Sequence, residues 1–350
     1  MTRQLLKPGE LVRDTHTIVR HLGSGAFGDV YLSRHRYMGL QAMKVFGFAD
    51  GNEALEEAYL LAKLGHPNIV RMFEANDFER SGVCYGYFTM EYVEGGTLLS
   101  SFAAESLELH QKINLGRGIV SGLAYAHSQT PPVIHRDISP SNILLDRGQG
   151  PITGKISDFG LAKHVDRASL VASAAGKYVY MAPESFLGVH STATDVYSAG
   201  IVLFELLTGR HPFAFVLSAT ATSKEVAEVV KKSRSQAVPD ATVVNPEIPC
   251  GWNDFFRVAL KHDYEQRPKD GSVLLSVFDE IENYAGSSVR AAANASSEAP
   301  EIVRKAQGLS QQADTLDQAI ELLEDACSAD RTVRERYSDL LSLWRRGIVL

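Results

Sequence analysis

The sequence predicts an α+β protein of two lobes, a small β-rich lobe followed by a larger helical one, with a helical tail beyond them. Three observations carry this. Residues 11–47 hold three short runs rich in β-branched and aromatic residues, "THTIVRHL", "DVYLSRH" and "QAMKVF", separated by glycine-bearing turns, as strands of one sheet are. After "EGGTL" at 94–98 the apolar residues fall at helical spacing. At 285–301 the chain becomes small and polar, "AGSSVRAAANASSEAPE", and reads as a linker.

Taken in order, the strands lead into "NEALEEAYLLAKL" at 52–64, a helix with Leu60, Leu61 and Leu64 on one face. The helical lobe follows with "HQKINLGRGIVSGLAYAH" at 110–127 and "STATDVYSAGIVLFELLTG" at 191–209. Past the linker, Leu316, Ala319, Ile320, Leu323, Ala326 and Cys327 make one apolar stripe. Val333, Tyr337, Leu340, Leu341, Trp344 and Ile348 make a second.

Bulk properties exclude several classes. Of 350 residues, 45% are hydrophobic and 22% charged, ordinary for a globular chain. The net charge of −7, with no clustered basic face, argues against nucleic acid as a partner. Three cysteines, Cys84, Cys250 and Cys327, stand far apart, which suits a reducing compartment and fits neither a disulfide framework nor a zinc site. No apolar run is long enough to span a bilayer, and "MTRQLLKPGE" has no signal-peptide core. The expectation is a cytoplasmic protein without a membrane partner.

The chemistry lies in short motifs. "GSGAFGDV" at 23–30 supplies Gly23, Gly25 and Gly28, whose missing side chains let backbone amides approach phosphate oxygens. A dinucleotide fold would open a helix inside these glycines, whereas here Val30-Tyr31-Leu32 continues as a strand. A glycine-rich hairpin over ATP is the better reading, with Phe27 at its tip and Val30 against adenine. Lys44, in "AMKV", would lie under the hairpin and neutralise the α- and β-phosphates, and it needs a carboxylate to hold it. Glu57 is chosen because it shares a face with Leu60, Leu61 and Leu64, whereas Glu56 points away and Glu53, on the same face, lies a turn further out. "HRDISPSN" at 135–142 offers Asp137 to take or orient a hydroxyl proton, and Asn142 as a Mg²⁺ ligand. "SDFG" adds Asp158, a second hard oxygen ligand for Mg²⁺. Glu184 of "YMAPE" and Arg267 of "YEQRP" suit a buried pair, and Asp195 of "DVYSAG" could anchor the catalytic-loop backbone.

This ordered set resembles the eukaryotic-type protein kinase superfamily, and its bacterial Ser/Thr members in particular, over about residues 12–284. "HPNIV" at 66–70 and "MEYVEGGTL" at 90–98 share the likeness. The resemblance implies an N-lobe of about 12–90 and a C-lobe of about 94–284, then the linker and a tail at 302–350. It implies catalytic roles for Asp137, Lys44, Glu57, Asn142 and Asp158, and a nucleotide site of Leu22, Gly23, Gly25, Gly28, Val30, Ala42, Lys44, Met90, Glu91, Val93 and Leu144. Met90 would be the gatekeeper, and Glu91 and Val93 the hinge. The implied cofactors are ATP and Mg²⁺, with Mn²⁺ as a substitute, and the implied partner is a protein substrate phosphorylated on Ser or Thr. Arg136 would pair with a phosphate on the activation segment, where Ser169, Ser173 and Tyr178 are acceptors.

Three departures matter. Glu57 follows Lys44 by thirteen positions, a short interval, and "RGQGPITG" at 147–154 reads as a longer hairpin turn. Ser139 stands where such loops carry lysine, and Lys177 where they carry the matching threonine. Two readings stay open: Lys177 supplies the missing cation beside Asp137, or it faces solvent and Ser139 is merely small. The alternative to an active enzyme is a pseudokinase scaffold that works through nucleotide binding and its tail. For the tail, a tetratricopeptide-like start, a plain helical hairpin and a self-association arm are all open.

Overall fold

The structure, a computed structural model, describes residues 4–25, 28–47, 62, 64–104, 107–148, 150–159, 178–216 and 221–283. In the tail it describes 303, 305, 306, 309, 315–329, 333, 337, 341 and 344. The predicted helix at 52–64, Phe27, Gly160, Ser169, Ser173 and Lys177 lie outside these residues, apart from Ala62 and Leu64. The chain divides into two compact units, Met1–Phe278 and Asp279–Leu350.

The first unit has the two-lobed α+β architecture that the sequence predicts. Its N-terminal lobe is a six-stranded antiparallel sheet of β1 (Leu11–Val12), β2 (His16–Gly25), β3 (Gly28–His35), β4 (Gly39–Gly47), β5 (Met72–Arg80) and β6 (Val83–Glu91). The strand order is β1-β2-β3-β4-β6-β5. Residues alternate between its faces. Tyr31, Met43, Val45 and Tyr87 face one side and join Leu6, Val12 and Ile18 in a buried cluster. Val30, paired with Lys44, and Ala42, paired with Met90, face the other. Leu6 is 1% exposed, so the packed lobe reaches upstream of residue 12.

The C-terminal lobe contains α1 (Leu98–Ala104), α2 (Leu109–His127), the hairpin β7 (Ile143–Asp146) and β8 (Thr153–Ile156), and α3 (Thr192–Thr208). It continues with α4 (Ser223–Ser233), α5 (Ala241–Val244) and α6 (Gly251–Ala259). Helix α3 is buried on nearly every side and runs through the core. A capping box of Ser191 and Thr194 starts it, and Gly209, at φ +73°, stops it in the left-handed conformation that glycine adopts without strain. Two bridges tie the β7–β8 hairpin to its surroundings: Ile69 pairs with Ile156, and Thr97 with Leu144.

In the second unit the helix Leu316–Ala329 packs Ala319, Leu323, Ala326 and Cys327 with Val303, Ala306, Val333 and Trp344. Most of both predicted stripes therefore share one core. Among the described residues no helix is long and apolar enough to cross a membrane.

Candidate active site

The glycine-rich hairpin is β2–β3, closed where Gly25 pairs with Gly28. Gly28 has φ +121°, and a Cβ there would come within 1.9 Å of the Val45 carbonyl oxygen, so only glycine lets the turn lie against β4. Leu22, Gly23 and Val30 lie on the two arms, Ala42 and Lys44 on β4, Met90 and Glu91 on β6, Val93 just after it, and Leu144 on β7. Met90 also lines a small cavity with Phe88, Leu64, Ile69, Asp158 and Phe159.

Lys44 is 4% exposed and sends its Nζ to Asp158 Oδ1 at 2.6 Å, joining residues 114 positions apart. Asp158 takes φ +58°, in the left-handed region that costs an aspartate some strain. The preceding residue, Ser157, is held by Asn142: Ser157 donates its N–H (2.9 Å) and its hydroxyl (3.1 Å) to the Asn142 carbonyl oxygen. Asn142 Nδ2 donates to Asp137 twice, to the backbone oxygen at 2.8 Å and to Oδ2 at 3.0 Å. Lys44, Asp158, Asn142 and Asp137 are thus linked through a short series of contacts.

A second layer fixes the loop. Asp195, 1% exposed at the start of α3, accepts the N–H groups of His135 (2.6 Å) and Arg136 (2.8 Å) and the ring N–H of His127 (3.1 Å). His127 takes the Gly271 N–H on its other nitrogen at 2.9 Å, which fixes the tautomer with the proton on Nε2. His135 is set the same way. Its Nδ1 accepts the Asp137 N–H at 3.2 Å, its Nε2–H reaches the Ser157 carbonyl at 2.7 Å, and its ring lies 4.6 Å from that of Phe159. Arg136 sits at φ +69°, a strained geometry that the Asp195 clamp maintains.

Below the loop, Arg267 and Glu184 form a buried bidentate pair at 2.7 and 2.9 Å, and Thr194 donates to the same carboxylate at 3.1 Å. Segment 178–181, just ahead of Glu184, is held by Arg234, which donates to the carbonyls of Tyr178, Val179 and Met181. Burial pulls the Arg234 guanidinium down to about 10. Tyr180 donates to Glu205 at 2.8 Å, and burial pushes the pKa of both upward.

Ser139 is 3% exposed and shares a hydrogen bond with Ser141 at 2.9 Å. Glu57 and Lys177 lie outside the described residues. Glu91 keeps its expected place at the end of β6, and its side chain meets Lys155 at 2.5 Å. Sequence reasoning did not single out Ser157, His127, Lys155, Arg234 or Glu205. Ser157 opens "SDFG" but the others belong to no short motif, and each acts through a partner remote in sequence.

The donor set suits a hard cation. Asn142 spends its amide nitrogen on Asp137, leaving its side-chain oxygen free of that bond, and Asp158 adds a carboxylate. Among the described residues no group of three or more His, Cys, Asp or Glu could hold a metal. Magnesium, which takes a few protein oxygens and completes its shell with water and phosphate, fits such a site.

A family model for the protein kinase domain matches residues 16–278. Over 278 residues the chain is 30% identical to a probable serine/threonine-protein kinase PknB of Lactococcus lactis, covering 76% of this chain and 42% of that one. It is 34% identical over 253 residues to the serine/threonine-protein kinase PrkC of Bacillus subtilis, covering 69% of this chain and 36% of that one. It is also 31% identical over 297 residues to an EPD1-interacting receptor-like cytoplasmic serine/threonine-protein kinase 5A of Gossypium barbadense, covering 77% and 61% respectively. The chain therefore spans less than two thirds of each of these relatives. Motif order, lobe architecture and the match over 16–278 agree: the chain belongs to the protein kinase domain family.

Proposed function

We propose that the chain transfers the γ-phosphate of Mg-ATP to serine or threonine hydroxyls of protein substrates. The observation that best supports this is the 2.6 Å contact between Lys44 and Asp158, which brings a cation from one lobe to a carboxylate from the other. In this reading Lys44 steadies the α- and β-phosphates, and Glu57 holds Lys44. Leu22, Val30, Ala42, Met90, Glu91, Val93 and Leu144 surround the adenine. Asn142 and Asp158 hold the cation. Asp137 takes or orients the hydroxyl proton, its carboxylate steered by Asn142 Nδ2. Bound Mg²⁺ would neutralise charge on the phosphate oxygens. Serine/threonine specificity is supported by the names of the relatives, and the same reading extends to autophosphorylation at Ser169 or Ser173. Among the described residues Arg136 Nε is buried without a hydrogen-bond partner, which supports a phosphate-sensing role for that arginine. The tail, with its own apolar core, is assigned to binding a protein partner or a second copy.

One observation favours the scaffold reading instead. Ser139 meets Ser141, so the catalytic loop brings no cation at that position. Lys177 is proposed to supply it. Lys177→Ala then lowers kcat as loss of a catalytic-loop lysine would, and a near-normal kcat removes the idea.

Transfer of labelled γ-phosphate from Mg-ATP, with mass mapping and Asp158→Asn as control, tests the whole reading. Label on Ser169, Ser173 or an added protein, absent in the control, is the expected result. Wild-type protein that binds Mg-ATP and labels nothing, with a generic substrate present, overturns it in favour of the scaffold.

A further inference from the structure

Residues 4–14 lie upstream of the stretch that matches the family model, which begins at 16. They nevertheless form a fixed strap on the N-terminal lobe. Gly9 donates its N–H to the Ile18 carbonyl at 2.8 Å, and Ile18 donates back to Glu10 at 2.9 Å. Glu10 meets Arg80 at 2.5 Å. Leu6 is buried among Tyr31, Met43, Val45 and Tyr87.

From Leu6 a line of hydrogen bonds runs to the glycine-rich turn. The Leu6 N–H donates to the Tyr31 hydroxyl oxygen at 3.1 Å, and that hydroxyl donates its proton to Asp29 Oδ2 at 3.2 Å. The other Asp29 oxygen accepts Ser24 Oγ at 2.6 Å and lies 3.3 Å from His21 Nε2. Ser24, the middle residue of Gly23-Ser24-Gly25, is paired across the hairpin with Asp29. Backbone bonds tie the strap to the start of β2, and the Tyr31 hydroxyl carries the connection on towards the glycine-rich end of the hairpin.

The backbone ladder is weakest where these side chains take over. The β2–β3 register shifts between Ile18 and Arg20 and again between His21 and Gly23. Glycine has more backbone freedom to lose than other residues, so ordering a glycine-rich hairpin over a nucleotide costs conformational entropy. A tether that restricts the free hairpin reduces that cost before ligand arrives.

We propose that the strap pre-orders the glycine-rich hairpin for nucleotide through the Tyr31 hydroxyl, making Tyr31 and Asp29 positioning residues for Mg-ATP. The proposal rests on the reading of the hairpin as the ATP site, but not on phosphate transfer. Its test is Mg-ATP affinity of the full chain by calorimetry, alongside the KM for a peptide substrate. Tyr31→Phe keeps the ring in the core and removes only the hydroxyl. It should raise the Kd for Mg-ATP roughly three- to tenfold, the scale of one lost hydrogen bond, and leave the peptide KM unchanged. Asp29→Asn should act in the same direction, and the double variant should be no weaker than the worse single, because both cut one line.

An unchanged Kd in Tyr31→Phe, even with lowered stability, would leave the tyrosine a purely structural residue and overturn the proposal. So would effects that multiply in the double variant. If Tyr31→Phe does not fold, Ser24→Ala cuts the last link at an exposed position and must itself raise the Kd; an unchanged value there overturns the proposal. Wild type that binds Mg-ATP but transfers nothing refutes only the kinase reading, whereas wild type that binds no Mg-ATP refutes both.

Discussion

The carboxylate of Asp195 accepts the backbone N–H of His135 at 2.6 Å, joining the first turn of the buried helix α3 to the loop that carries Asp137. The same carboxylate holds Arg136, whose left-handed backbone needs such a clamp. Asp195→Asn keeps one oxygen acceptor and presents an amide to a donor. Urea unfolding should show a loss of about 2–3 kcal/mol, the cost of leaving a buried donor unmet. Because Asp137 stands two residues from His135, kcat should fall by at least about tenfold through misplacement of its carboxylate. Unchanged kcat in a folded variant would mean that the loop geometry does not depend on this anchor.

The Glu184–Arg267 pair is buried at both ends, so its value depends on which end is removed. Arg267→Met leaves the buried Glu184 carboxylate without its bidentate partner, with Thr194 its remaining side-chain donor among the described residues, and stability should drop by about 3–5 kcal/mol. Replacing both partners with apolar residues of similar size should recover much of that loss. Chemical denaturation of the two single variants and the double variant measures the coupling. Additive losses would show that the two side chains act independently.

How much of this was legible in the sequence depends on the range of the contact. Lys44 and Asp158 were expected in one site from motif order alone, and they meet at 2.6 Å. The strands of the N-terminal lobe and helices α2 and α3 follow local patterning, where alternation, capping residues and Gly209 mark the limits. What no local pattern encodes is the choice of partner. His127 reaches Gly271 across 144 residues, and Tyr31 reaches Leu6 across 25. Such pairs form only after the lobes have packed, so periodicity and motif spacing carry no trace of them. A lone tyrosine on a strand reads as core, and its hydroxyl is silent until the strap is seen.

Gly28 and Gly23 offer a controlled contrast within one hairpin. A Cβ on Gly28 would strike the Val45 carbonyl at 1.9 Å from a backbone at φ +121°, whereas a Cβ on Gly23 meets nothing within 4 Å. Gly28→Ala should therefore destabilise the nucleotide-free protein by about 1–3 kcal/mol. Gly23→Ala should change stability by less than about 0.5 kcal/mol. Thermal unfolding without nucleotide distinguishes the two from any effect on ligand. Equal losses would show that the glycines share one conformational role, contrary to the geometry.

Glu205 gives the clearest pH dependence. Burial raises its pKa above the ordinary carboxylate value, and the hydrogen bond from Tyr180 lowers it by less. An acid with a raised folded-state pKa binds its proton more tightly when folded. Its contribution to stability is thus complete below the unfolded value, about 4.3, and is lost as pH rises through the folded value. Glu205→Gln keeps an oxygen for the Tyr180 hydroxyl and cannot ionise. Relative to wild type, the variant should gain stability as pH rises from 4 to 8, through the raised folded-state value. Urea midpoints of both proteins across that range measure it. A wild-type-to-variant difference that stays constant with pH would show that the Glu205 carboxylate has the same proton affinity in the folded and unfolded chains.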